Sequence, residues 1–362
     1  MSFKRFLSYF TKRISSSKDN GVANNINYSK VDELLQSLVN NSKIPGIAIK
    51  ATQHNKTIFN KGYGFSNLDN KTPINPDDSV FRIASVSKPI AATALAIMVQ
   101  DGLIDLEESF YTYVPYYPKK KYDFAIRQLA SHTAGIRGYK GKEYGLNMPY
   151  TIKESITIFK GDDLLFKPGT NYHYNSYDWV LLSLAMQEAS GIPFEEYVQK
   201  KVLDPLQMQN TYAEVKDKLV LNATTFYSQK RQGFRKAMEV NNYYKLAGGG
   251  FLSTTTDIVK LGNAYLKGNL LEQATQQQFL TAQEVNGEST YYGLGWQVST
   301  DKKGNVYYGH IGNGVGGYSN FFVYPKQGLV ISILTNCTNP NIQDVLDEIV
   351  LEFVEKANES TL

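Results

Sequence analysis

Cysteine is nearly absent. Cys337 is the single cysteine of 362 residues, so no intrachain disulfide can form and covalent stapling contributes nothing to stability. It ends the apolar run VISILTNC and reads as a buried structural thiol rather than a nucleophile. Histidine is scarce too. His54, His132, His173 and His310 are the full set, and none has HExxH or close Cys/His spacing, so no metal or other cofactor is expected. No stretch approaches the roughly 18 consecutive apolar residues of a membrane-spanning helix. The body also lacks an excess of either charge. Net charge is +4, but residues 1–18 hold Lys4, Arg5, Lys12, Arg13 and Lys18 with no acid. The rest carries 33 basic and 34 acidic residues, which leaves no electrostatic footprint for nucleic acid.

What is present suits a soluble globular chain: 42% hydrophobic and 20% charged residues. The length allows two domains or one large two-lobed one. Residues 1–26 read as a basic tail and linker. Phe3, Phe6, Leu7, Phe10 and Ile14 share a helical face, the pattern of a helix lying on an anionic membrane or of a transit peptide. The plainer reading is a disordered basic tail. The apolar run is too short and broken for a secretory signal, which favours a cytoplasmic location over an exported or membrane-peripheral one.

The body, residues 27–358, alternates clear patterns. Residues 29–40 have helical periodicity. IPGIAIKATQHNKTIFNKGYGFSN reads as a hairpin around a polar turn. From about Ser87 to Gln100 the chain is apolar nearly all round, which marks a buried helix, with Pro89 in its first turn. Two further helices run into glycine stops at Gly191 and Gly268. Strand signals return in YYGLGWQVST, NVYYGHI, SNFFVYP and LVISILTN, and a last helix follows. The expected fold is α+β: one antiparallel sheet built from both chain ends and flanked by helices, with a mostly helical second lobe. The expected division is an α/β lobe at 27–84 and 290–358 and a helical lobe at 85–289.

Three segments carry chemistry. Ser85 and Lys88 stand at i and i+3, one helical face. A serine needs a base to take its proton, and burial makes a lysine amine cheaper to keep neutral. S-x-x-K also occurs at Ser15/Lys18 and Ser299/Lys302, but only Ser85 stands where an extended segment meets a buried helix, whose N-terminal amides can hold an oxyanion. Tyr174 and Ser176 lie ahead of a helix; the phenol can act as base or shuttle if nearby cations lower its pKa. In GHIGNGVGG (309–317), glycines allow close backbone approach to a ligand, the Asn313 amide is a candidate second oxyanion donor, and His310 can orient a carboxylate or relay protons.

Taken together, Ser85-x-x-Lys88, Tyr174-x-Ser176 and His310-x-Gly312 resemble the serine β-lactamase/penicillin-binding-protein-like family, whose S-x-x-K motif marks the acylated serine. RQLASHTAGIRGY, FKPGTNYHYNSYDWVLL, KLAGGGFLSTTTDIVKLGNAYL and YGLGW agree. The resemblance covers roughly residues 28–355, and in SITIFKGDDLLFKPG and NNYYKLAGGGFLST it is similar to the mitochondrial members. It implies the β-lactamase/transpeptidase-like fold and a serine hydrolase working through an acyl-enzyme on a small-molecule or peptide-like amide or ester. Catalytic roles fall on Ser85, Lys88, Tyr174 and His310, and oxyanion or substrate contacts on Ser85, Asn313, Ser176 and Gly312. Ser176 stands where many relatives have asparagine, and His310-Ile311-Gly312 where β-lactamases have Lys-Thr-Gly. Both departures favour peptidase or esterase over β-lactamase or D-alanyl peptidase activity. A non-catalytic scaffold and self-association also stay open.

Overall fold

The computed structural model describes residues 27–216 and 218–359; the expected tail at 1–26 lies outside them. Alternation of apolar side chains explains the central sheet. Strands β1 (Gly46–Gln53), β2 (Lys56–Asn67), β3 (Thr72–Pro73), β4 (Gln297–Thr300), β5 (Val306–Gly314), β6 (Gly317–Tyr324) and β7 (Leu329–Thr335) form one antiparallel sheet in the order β4-β5-β6-β7-β1-β2-β3. The two chain ends meet where β1 pairs with β7, Ile47 opposite Thr335 and Lys50 opposite Ser332.

The runs SNFFVYP and LVISILTN are continuous rather than alternating because both sheet faces are covered. Tyr318, Phe322, Ile331 and Ile333 enter one apolar cluster, with α1 (Ser29–Asn40) and α5 (Gln343–Glu359) over it. Phe321, Val323, Val330 and Leu334 enter the other. That second cluster also holds α2 (Ser87–Gln100), α3 (Tyr177–Ser190) and α4 (Thr255–Lys267). Helix α2 buries Ile90, Ala91, Ala94, Leu95 and Met98, as its all-round apolar pattern requires. Both glycine stops take left-handed backbone, Gly191 at φ 72° and Gly268 at φ 62°.

Two features of the fold bear on the site. Residues 309–317 are mostly strand rather than loop. Gly309, Gly312 and Gly314 lie within β5, and only the turn around Gly316 (φ 76°) reverses the chain. A sheet ladder supplies what these glycines lack in propensity. Second, α4, inside the expected 85–289 lobe, lies on the sheet. A Cβ at Gly262 would meet Val330 at 2.5 Å and Phe321 at 3.0 Å. One core therefore runs beneath both walls, and the two-lobe division describes the walls of a cleft, as a proposal. Cys337 is fully buried, and burial pushes its thiol up to about 12. No described helix is long and apolar enough to cross a membrane.

Candidate active site

Ser85 sits in a single 3-10 turn, Ala84–Val86, that runs directly into α2. The approach is tightly held. Phe81–Arg82 pairs with Leu252–Ser253, the Ile83 amide donates to Phe251 O at 3.3 Å, and Ser319 Oγ donates to Ile83 O at 2.6 Å. Ala84 takes φ 46°, strained backbone for a residue with a Cβ, of the kind that persists where the surroundings over-determine it. This bend leaves Ser85 half-buried while its neighbours are buried.

The distant segments meet at its hydroxyl. Lys88 Nζ lies 3.2 Å from Ser85 Oγ, and Tyr174 OH lies 2.8 Å from it. Lys88 Nζ also donates to Gly248 O at 2.7 Å and lies 4.8 Å from the centre of the Tyr174 ring. Lys88 is wholly buried. Burial brings its pKa down to about 7, with Asp178 opposing the shift and Lys245 adding to it. The amine is therefore substantially neutral at neutral pH, the form a base requires.

Tyr174 departs from the sequence reading. Nearby cations do not lower its pKa. Burial of the hydroxyl end raises it, although the side chain as a whole is 39% exposed. The phenol keeps its proton, so it is a donor and shuttle, and the amine is the group able to accept.

His310 stands behind Tyr174, with ring centres 5.8 Å apart, and is 1% exposed. Its Nδ1 lies 2.7 Å from Ile311 O. A carbonyl can only accept, so Nδ1 carries the proton and Nε2 accepts from Tyr292 OH at 3.0 Å. Burial lowers its pKa to about 3. Both nitrogens are occupied by protein partners, so in this arrangement His310 has none free to orient a substrate carboxylate as expected. Gly312 is also reassigned. A Cβ there would lie 2.5 Å from Ile83 O and 2.9 Å from Ser85 N. The space is taken by the turn that carries Ser85 and by Ser319 Oγ at 2.3 Å, not by a ligand.

Asn313 and Ser176 line the same pocket as Ser85. The Ile311 amide points away from β6, to Gln297 Oε1 at 3.1 Å. Strand side chains and amides repeat every two residues, so the Asn313 amide points the same way, toward the pocket. Ser176 precedes α3 without capping it, and its hydroxyl pairs with the half-buried Tyr139.

Several residues were missed. His132 and Asp178 are fully buried and joined at 2.8 Å (Nδ1 to Oδ2), with Asn175 Nδ2 donating to the same carboxylate oxygen at 2.7 Å. Burial drives His132 down and Asp178 up. The His132 ring packs against Tyr174 at 4.6 Å and Tyr292 at 4.8 Å. Lys245, its neighbour Asn242 and the Gly248 carbonyl were missed too. Their only signal was membership of the stretches SHTAGIRGY and NNYYKLAGGGFLST. Among the described residues no His/Cys/Asp/Glu cluster could hold a metal ion.

Comparison with known proteins follows this geometry. The family described as Beta-lactamase matches residues 31–354. The mitochondrial serine beta-lactamase-like protein LACTB of Homo sapiens is 26% identical over 431 residues, covering 89% of this chain and 78% of the relative. Protein flp of Staphylococcus aureus (strain N315) is 23% identical, covering 93% and 69%. Among solved structures, the D-amino acid amidase from Ochrobactrum anthropi SV3 superposes with TM-score 0.80 at 20% identity, over 91% of this chain and 99% of that one. The octameric penicillin-binding protein homologue from Pyrococcus abyssi gives 0.76 at 22% identity, over 87% and 74%.

Proposed function

This chain belongs to the beta-lactamase family and has its α+β, transpeptidase-like fold, and from that premise we propose that it is a serine hydrolase acting through an acyl-enzyme at Ser85, on an amide or ester. The observation that carries this reading is the meeting of a buried amine and a phenol on one hydroxyl, at 3.2 and 2.8 Å.

Neutral Lys88 takes the proton as Ser85 Oγ attacks the substrate carbonyl carbon, and an Oγ–C bond forms. The Ser85 and Asn313 amides stabilise the oxyanion; removing one such donor typically costs about 10²–10³ in turnover. The C–N or C–O bond then breaks, and the proton passes through Tyr174 to the leaving group. Water cleaves the acyl-enzyme by the reverse transfer, giving the free acid. His310 acts as a positioning residue, holding Tyr292 beside Tyr174. The absence of a Lys-Thr-Gly segment on β5 and the shorter Ser176 favour a peptidase or esterase over a β-lactamase.

A panel of nitrophenyl esters, D- and L-aminoacyl anilides and a chromogenic cephalosporin, run on wild type and Ser85→Ala, tests the reading. Turnover of at least one ester or anilide should vanish in the variant. Equal turnover in both rejects Ser85 as nucleophile.

A further inference from the structure

The pocket at Ser85 is small, about 40 Å³, and is walled by Arg82, Tyr139, Ser176, Lys245, the β5 residues Asn313 and Gly314, and Val315. One water occupies roughly 10–15 Å³ of such space, so about three fit. That is room for a short chain of a few heavy atoms.

The wall carries two cations, and they differ in kind. Arg82 is spent. Its Nε and Nη2 both donate to Glu214 Oε1, at 2.8 and 2.6 Å, and its Nη1 donates to Val315 O at 2.8 Å. Glu214 also accepts from Asn242 at 2.7 Å, so that pair is neutral and internally satisfied. Lys245 is not spent. It is 8% exposed, yet among the described residues no carboxylate lies within ion-pair distance of its ammonium. Its Nζ makes one hydrogen bond, to Tyr144 O at 3.1 Å. The rings of Tyr139, Tyr144 and Tyr244 stand 5.3–5.7 Å from it. Three donors with one protein acceptor, at the wall of the pocket, leave a charge with no counter-ion within ion-pair distance among the described residues. Ring faces compensate a desolvated cation only in part, and buried charges are normally paired.

The side of the reaction follows from the same lining. Tyr174, which hands its proton to the leaving group, is not part of this wall. The leaving group departs on the Tyr174 side, and the pocket receives the acyl portion.

We propose that Lys245 is a specificity residue that pairs with a carboxylate on a short acyl chain, so that the preferred substrates are esters or amides of small dicarboxylic acids or acidic acyl residues. The proposal rests on the Ser85 hydrolase reading and adds the substrate class to it. The chemistry is unchanged: the carboxylate takes no part in bond making, and only anchors the acyl group so that its carbonyl lies between Oγ and the two amides. Burial and Arg82 bring Lys245 to about 8 against the opposing pull of Glu214, which lies beyond ion-pair distance, and this still leaves it cationic at neutral pH. A carboxylate partner would reinforce that charge.

The test compares kcat/KM for 4-nitrophenyl monosuccinate, its neutral methyl ester and 4-nitrophenyl butyrate, with spontaneous hydrolysis subtracted. Wild type should prefer the free acid over both neutral esters by roughly 10–100-fold, the range of a charge-assisted hydrogen bond. Lys245→Met should bring that ratio to about one, and Lys245→Arg should keep part of it. A wild-type enzyme that treats the three alike, or prefers butyrate, overturns the proposal even if the variants fail to fold. So does an unchanged ratio in Lys245→Met. Turnover that persists in Ser85→Ala, or no Ser85-dependent turnover of any of the three, removes the hydrolase reading beneath it instead.

Discussion

A lysine with no access to water is costly to keep charged. Lys88 loses its proton near pH 7 when folded but near 10.5 when unfolded. Between these values the unfolded chain holds the extra proton, so stability rises with pH through that window, and the full penalty is felt below about 7. Replacing Lys88 by Met should therefore abolish turnover yet stabilise the protein at pH 7 by about 2–4 kcal/mol. The gain should shrink toward pH 10. Denaturant midpoints of both proteins at pH 6, 8 and 10 check this; a variant less stable than wild type at pH 6 contradicts it. Tyr174→Phe should fold normally and lose about 10²–10⁴ in acylation rate, the usual share of a proton-transfer group. At the same scale His132 and Asp178 behave oppositely to Lys88. They are buried and mutually bonded, and burial favours the neutral form of each, so His132→Ala should destabilise by about 1–3 kcal/mol by leaving a buried polar partner unsatisfied, as read by thermal or chemical unfolding. Residue chemistry was legible in the sequence where spacing carried it. Ser85 and Lys88 are one turn apart, and Tyr174 was named by its place before a helix. The His132–Asp178 contact spans 46 positions, with no local period to reveal it.

At the scale of elements, glycine separates the readings most sharply. At the glycine-rich residues 309–317, composition reports backbone freedom and not the neighbours that remove it. In the sheet, Gly312 is empty because the Ile83 carbonyl and the Ser85 amide fill its side-chain space. Gly312→Ala should push that turn aside, cutting Ser85 acylation at least tenfold while the protein stays folded at 25 °C. Equal labelling rates would show that the turn yields freely. Gly262 sets two effects against each other. Alanine in the interior of a helix gains about 1 kcal/mol in propensity over glycine, but a Cβ 2.5 Å from Val330 overpacks the α4–sheet contact by about 1–3 kcal/mol. The packing term should win, and Gly262→Ala should lower the denaturation midpoint. Helices α1, α2, α3 and α4 and the β1–β2 hairpin were legible because each carries its own period or stop signal. The Phe81–Arg82 pairing with Leu252–Ser253 was not, because two-residue strands have no period.

Across the whole molecule, both chain ends build one sheet, and a single core of helix and sheet side chains underlies the cleft. The sheet's origin was readable, since strand signals cluster at the two ends. The boundary between lobes was harder to read, since α4 lies on the sheet although its sequence neighbours belong to the helical wall. This arrangement turns Ser85, Lys88, Tyr174 and Asn313 into one site from three separate stretches of chain. The central claim is that Lys88, as a neutral amine, activates Ser85. The most direct measurement is the rate of fluorophosphonate labelling as a function of pH, with the adduct mapped by peptide mass. The account predicts one phosphonylated residue, Ser85, formed at a rate that rises through a midpoint near pH 7. An adduct elsewhere, or a rate flat between pH 5 and 9, would contradict it.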